Sequence, residues 1–141
     1  MAVESFINPV IKSKFSENQL CAIVPKLWGR EEWIVNNDKY CGKKLLFNKG
    51  FRLSLHFHKI KEESFYVLTG TIYLEIVDEG IRSQRVMNVG DVVHIKPLVH
   101  HRITAITDAE IMEFSTHHME DDSYRLEESS KIDLTTLVLP L

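Results

Sequence analysis

Three histidines and one glutamate at close spacing are the part of this chain that could do chemistry. Between Gly50 and Gly70 the sequence reads GFRLSLHFHKIKEESFYVLTG, which sets His56, His58 and Glu63 in the frame G-x5-H-x-H-x4-E-x6-G. A second run, Gly90 to His101, reads GDVVHIKPLVHH and supplies another histidine after a Gly-Asp turn. Neutral imidazoles with a carboxylate suit one divalent metal ion: Zn, Mn, Fe, Ni or Co. Alternate side chains on a strand face the same way, so His56 and His58 point together into one interior. An isolated H-x-H pair on a strand is commonly structural. Here the glycine frame, Glu63 and the second run favour a metal site. Alternation lets only one of His100 and His101 face inward, and the pattern does not choose between them.

Other side chains could serve such a centre. Arg52 and Ser54 share the alternation of His56 and His58, which makes them substrate-binding candidates, Arg52 through an anionic group. Glu113 is the candidate base, because Ile111, Glu113 and Ser115 share one strand face. A carboxylate turned inward there is costly unless it is used or paired. Lys61 and Arg125 are further candidates at the reacting centre, as anion anchors. A solvated surface charge is the competing reading for Arg52, Lys61 and Arg125. His94 is out of phase with Val93 and Ile95 and is expected off the core face. His117 and His118 read as a surface pair, and Trp28 and Trp33 as packing residues.

The elements that must position these groups are strands. Arg52, Ser54, His56 and His58 alternate with Leu53, Leu55 and Phe57, a period of two. Further strands are expected at Trp33–Val35, Lys44–Phe47, Phe65–Leu68, Thr71–Val77, Arg85–Val89, Val92–Ile95, Arg102–Ile106 and Glu110–Ser115. Asn36-Asn37-Asp38 and Asp78-Glu79-Gly80 read as turns. Short strands at regular spacing, punctuated by Gly and Asp, predict an all-β sandwich or closed barrel. Residues 1–27 read as an arm that packs on the barrel or on a partner, 28–127 as the barrel, and 128–141 as a C-terminal tail.

Composition excludes several alternatives. The 141 residues suit one domain, with 44% hydrophobic and 26% charged residues and a formal net charge of -3. Neither the net charge nor any basic stripe favours nucleic acid. No apolar run approaches the roughly 18 residues of a membrane helix. The N-terminus lacks a basic start followed by an apolar block, so no secretory signal is expected and cytoplasm is the default location. Cys21 and Cys41 then read as a reduced, buried pair. There is no G-x-x-x-x-G-K-[ST], G-x-G-x-x-G or G-x-S-x-G run to suggest nucleotide, dinucleotide or serine hydrolase chemistry.

The two glycine-led frames resemble the paired motifs of the cupin superfamily, a small jelly-roll β-barrel. The first is complete in Gly50, His56, His58, Glu63 and Gly70, and the second fits Gly90 and His101. The resemblance favours His101 over His100 as ligand. Lys96, Leu98 and Ala105 stand where that family usually has Pro, Gly and Asn.

Within that superfamily a longer likeness, from about residue 26 to 127, is to the cupin domain of type II mannose-6-phosphate isomerases. Leu27-Trp28-Gly29-Arg30-Glu31-Glu32 is similar to their P-W-G-x-Y-E. Ser54, Leu55, His56, His58 and Glu63 match their S-L-Q-x-H-x4-E, with His56 in place of glutamine. Lys61 matches an arginine in position. Met112-Glu113-Phe114-Ser115 and Glu120-Asp121-Asp122-Ser123-Tyr124-Arg125 are similar to I-E-V-Q and E-D-D-x-x-R, with two residues fewer between them.

The resemblance implies a metal-dependent sugar or sugar-phosphate isomerase, and a homodimer. Two rivals share its ligands. One is an Fe(II) or Ni(II) dioxygenase, the other a non-catalytic metal-containing sugar-binding module.

Overall fold

The computed structural model describes residues 14–139. About half of the expected N-terminal arm, residues 1–13, lies outside them. Among the described residues thirteen strands form two antiparallel sheets. The strands are β1 (Ala22–Lys26), β2 (Gly29–Asn36), β3 (Cys41–Phe47), β4 (Phe51–Arg52), β5 (Leu55–Phe57), β6 (Glu63–Thr69) and β7 (Ile72–Asp78). They continue as β8 (Ile81–Met87), β9 (Val92–Ile95), β10 (His100–Ala105), β11 (Ala109–Ser115), β12 (Tyr124–Glu127) and β13 (Ser130–Lys131).

One sheet runs β1-β2-β3-β11-β6-β9. In the other, β10 pairs with β7 on one side and with β4 and β5 on the other. There β8 closes the edge beside β7, and β12 and β13 cover β5 and β4. Two facing sheets of short antiparallel strands are a jelly-roll arrangement. Ala22–Lys26, expected in the arm, is an edge strand of the first sheet, and Ser130–Lys131, expected in the tail, is one of the second. No helix of the described residues is long and apolar enough to cross a membrane.

Two turns explain their residues. Glu79 and Gly80 both have positive φ, 49° and 78°, as a two-residue hairpin between twisted strands requires. Gly29 follows the β1–β2 turn where an added Cβ would meet the Leu46 carbonyl oxygen at 1.8 Å, so the strands close there only around glycine.

The core fills the space between the sheets. Trp28, Leu45, Phe47, Val67, Ile72, Leu74, Ile103, Ala105, Ala109 and Ile111 are all buried in it. Trp28 stacks on Phe47 with ring centroids 4.4 Å apart, which agrees with a packing role.

Cys41 is buried in β3 but Cys21 is exposed, so they are not the expected buried pair. The expected alternation also fails at one point. The segment Arg52–His58 is not one alternating strand. Arg52 faces Thr104 and His56 faces His101, so four steps on one side oppose three on β10. This bulge at Leu53-Ser54 shifts the alternation by one residue. Ser54 stays in phase with the histidines and Arg52 does not. The Leu53 carbonyl, freed by the break, accepts a hydrogen bond from Arg102 Nε at 2.9 Å, and Arg102 also reaches Glu127 at 2.8 Å.

Candidate metal centre

The polar cluster sits where the two sheets face each other at one end. β5 carries His56, and His58 follows it. Glu63 opens β6, and His101 lies on β10 across from His56. One ligand atom from each of the four lies within 4.8 Å of all the others. His101 is fully buried and joins the cluster. His100 faces the other way, with its ring 4.4 Å from Phe57.

Each imidazole is oriented by its far nitrogen. Nδ1 of His56 lies 2.9 Å from the Ser54 carbonyl, that of His58 2.8 Å from the Asp122 carbonyl, and that of His101 3.0 Å from the Val99 carbonyl. A carbonyl oxygen only accepts, so Nδ1 carries the proton and the Nε2 lone pair is free for a metal. Asp122 does more. Its buried carboxylate accepts from the backbone N–H groups of Lys59, Ile60 and Lys61 at 2.9–3.2 Å. It thereby fixes the turn between His58 and Glu63. Those three N–H groups outweigh the effect of burial and hold the Asp122 carboxyl below its ordinary range.

The electrostatics fit a cation. Burial pushes the His56 pKa down to about 3 and also lowers that of His58, so both offer neutral imidazoles. Burial opposes charge on His101 and Glu63 as well, but their mutual attraction prevails, raising His101 and lowering Glu63. Glu63 Oε1 lies 2.8 Å from His101 Nε2 and Glu63 Oε2 3.4 Å from His58 Nε2. Yet both Glu63 oxygens and His101 Nε2 are buried without a hydrogen-bond partner of proper geometry. A divalent ion among the four would satisfy these atoms together, so the residues fit one metal ion.

A cavity of about 320 Å³ opens on this cluster, lined among others by Ser54, Lys61, Glu113 and Arg125. Glu113 is buried on the inner face of β11, in register with Lys43 on β3 and Phe65 on β6. Burial and the Glu63 charge push its pKa up, against Lys61 and Lys43. Lys61 is buried between two carboxylates, 2.8 Å from Glu113 Oε2 and 3.2 Å from Glu63 Oε2. Arg125 sits at the half-exposed rim, 3.9 Å from Glu128.

Arg52 does not line this cavity. Its Nε donates to Ser130 at 2.9 Å on the opposite side of the bulge. His118 corrects a further expectation, being largely buried on the cavity wall rather than on the surface. Lys61 Nζ donates to its Nδ1 at 3.0 Å, and its Nε2 lies 3.1 Å from Glu120. Burial and the nearby lysines bring its pKa down to about 4. His94 lies on the outer face, bonded to Ser64 at 2.6 Å.

Sequence reasoning missed Lys43, Glu31 and the role of Asp122. The alternation of Leu45 and Phe47, carried back one step, would have found Lys43. Leu98, where the resemblance expects glycine, keeps a left-handed φ of 74° and donates its N–H to the His58 carbonyl at 2.7 Å. The turn beside the ligands therefore survives the substitution.

A family model described as "Cupin domain" matches residues 45–117. Among solved structures the chain is similar to a tryptophan-to-tyrosine variant of oxalate decarboxylase from Bacillus subtilis. The TM-score is 0.69 at 19% identity, over 79% of this chain and 33% of that one. It is also similar to the Lactobacillus farciminis oxalate decarboxylase formate complex, with a TM-score of 0.68 at 18% identity, over 79% of this chain and 37% of that one. A further match, the Bacillus subtilis decarboxylase described with Mn(II) centres, has a TM-score of 0.68 at 19% identity, over 79% and 33% of the two chains. The chain thus spans about a third of the length of these proteins, and at this identity the likeness carries the fold alone. No curated protein matches the chain.

Proposed function

This chain belongs to the cupin family, and from that premise we propose that it is a metal-dependent isomerase moving a proton between adjacent carbons of a small sugar or sugar phosphate. The observation that carries the reading is Glu113, a buried carboxylate with a raised pKa on the wall of the cavity that holds the metal ligands. A divalent ion held by His56, His58, Glu63 and His101 would polarise the carbonyl and hydroxyl oxygens and acidify the C–H bond between them.

The chain's own residues account for the rest. Glu113 takes the proton from C2 of the open-chain aldose onto a carboxylate oxygen and returns it to C1, while the hydroxyl proton passes from O2 to O1. Lys61, held by Glu63 and Glu113, orients the base and balances its charge. Ser54 offers a hydroxyl to the substrate, and Arg125 meets an anionic substituent at the rim. The oxalate decarboxylase neighbours do not decide the substrate, because their likeness is one of fold.

Incubating the metal-loaded protein with mannose 6-phosphate in heavy water tests the reading. Deuterium should enter at C1 or C2, and Glu113→Gln should slow the exchange by about 10²–10⁴-fold. Oxygen consumption without exchange would instead select the iron or nickel dioxygenase. Sugar binding with neither would leave a binding module.

The outer face of the first sheet exposes Tyr66, Val92 and Phe114 as neighbours, which supports a homodimer. Light scattering should give twice the chain mass, and a monomer at high concentration would remove that reading.

A further inference from the structure

The cavity holds two buried lysines in opposite states. An ammonium group has three donors and no acceptor. That of Lys61 is enclosed by partners: it is ion-paired with Glu113 and Glu63 at 2.8 and 3.2 Å and donates to His118 at 3.0 Å. Lys43, only 1% exposed, makes no hydrogen bond among the described residues. Its one ion-pair partner among the described residues, Glu31, stands at 3.6 Å, and its Nζ lies 3.8 Å from the centre of the Trp33 ring. Glu31 is drawn away by Trp33 Nε1, which donates to the same carboxylate oxygen at 2.8 Å. Its ammonium group opens on the cavity, so whatever occupies the cavity must supply the acceptors that the fold does not.

We infer that Lys43 is the anchor for an anionic oxygen, of a carboxylate or a phosphate, on the small molecule that occupies this cavity. The inference rests on reading the cavity as a substrate site, and it assigns that substrate a charged group remote from its metal-binding end. Lys43 faces the interior from β3, and β11 separates it from Glu63 on β6. Two strand spacings of about 4.8 Å and an offset of two residues along the strand put their backbones roughly 12 Å apart, and both side chains reach inward. One small molecule can therefore touch both, in a cavity of about 320 Å³ that suits a metabolite.

Four cationic and five carboxylate side chains line the cavity, so a bound divalent ion turns its balance positive and favours an anion. Lys61 cannot take this role without breaking its contacts, and Arg52 is outside the cavity. Of the lysines and arginines on the wall, Lys43 combines burial with unused donors.

Calorimetric titration of the metal-loaded protein tests the anchor with two matched probe pairs: mannose 6-phosphate against mannose, and malate against glycolate. In each pair the first member adds an anionic group. The wild type should prefer the more anionic member of at least one pair by at least about ten-fold. Lys43→Met should erase that preference while metal content and affinity for the less anionic member stay unchanged, and Lys43→Arg should retain part of it. Glu31→Gln should strengthen the anionic probe by about two-fold or more, and by less in the Lys43→Met background, because it removes the carboxylate that competes for Lys43; an equal gain in both backgrounds counts against the anchor. If the sugars fail to bind but malate is preferred through Lys43, the anchor stands and the isomerase reading falls. A preference that survives Lys43→Met in a folded, metal-loaded protein, or no preference in either pair, overturns the anchor.

Discussion

The interior of this barrel has two halves built from the same strands. Along β6 the inward residues run Glu63, Phe65, Val67; along β10, His101, Ile103, Ala105. Along β3 they run Lys43, Leu45, Phe47, and along β11, Glu113, Ile111, Ala109. In all four the polar residue lies toward the same end. Beyond it, side chains pack as a dry core with Trp28 stacked on Phe47.

Alternation decides which side chains face inward but is indifferent to what they are. The polar end buries carboxylates, ammonium groups and imidazoles, among them Glu63, Glu113, Asp122, Lys43, Lys61, His58 and His101, which an apolar filling would avoid. The apolar end supplies the stability that lets the polar end hold charged groups in place.

Mutations at the two ends should therefore separate binding from stability. The largest effect is expected at the polar end. His101→Gln removes one ligand, and the purified protein should lose its stoichiometric metal. That exceeds the roughly 10–100-fold loss of affinity caused by removing a partner that only orients a ligand. Elemental analysis after gel filtration reads the result, and full metal content would break the division.

Two residues from Glu113 on the same face, Ile111→Ala should do the reverse. Stability in denaturant should fall by about 2–5 kcal/mol with metal content intact. Loss of metal without loss of stability would contradict the separate roles.

The smallest effect is one of pH, on metal-free protein. His56 and His118 are held at about 3 and about 4 in the fold, against an ordinary value of about 6.5 once unfolded. The unfolded chain binds protons that the folded one refuses, so stability is full above about 6.5 and falls as pH drops toward about 4. His101, whose pKa is raised by Glu63, opposes this but is outnumbered by His56, His58 and His118. Denaturant midpoints at several pH values measure the slope. A flat or rising profile on acidification would show that the polar end carries no such burden.

Much of this was legible in the residues. The period of two gave strands, and the glycine-led frames gave an all-β fold with His56, His58 and Glu63 facing one interior. Glu113 could be placed on an inward face of β11 from Ile111 and Ser115. These are local matters, since strand alternation and turn chemistry act between residues close in sequence.

What failed was local in appearance and tertiary in cause. Arg52 looked in phase with the histidines, but the bulge at Leu53-Ser54 is set by pairing with β10, some fifty residues away. His118 looked exposed because nothing nearby in sequence shows that Lys61 meets it across the cavity. Alternation left His100 and His101 tied, and the fold separates them by placing His101 opposite His56.

The chain by itself thus determined which ligands exist, the strands that carry them and the faces they share. Only the packed sheets decided which charges meet. Contacts among Lys61, Glu63, Glu113 and His118, and the unused donors of Lys43, depend on distances across the barrel that no spacing along the chain encodes.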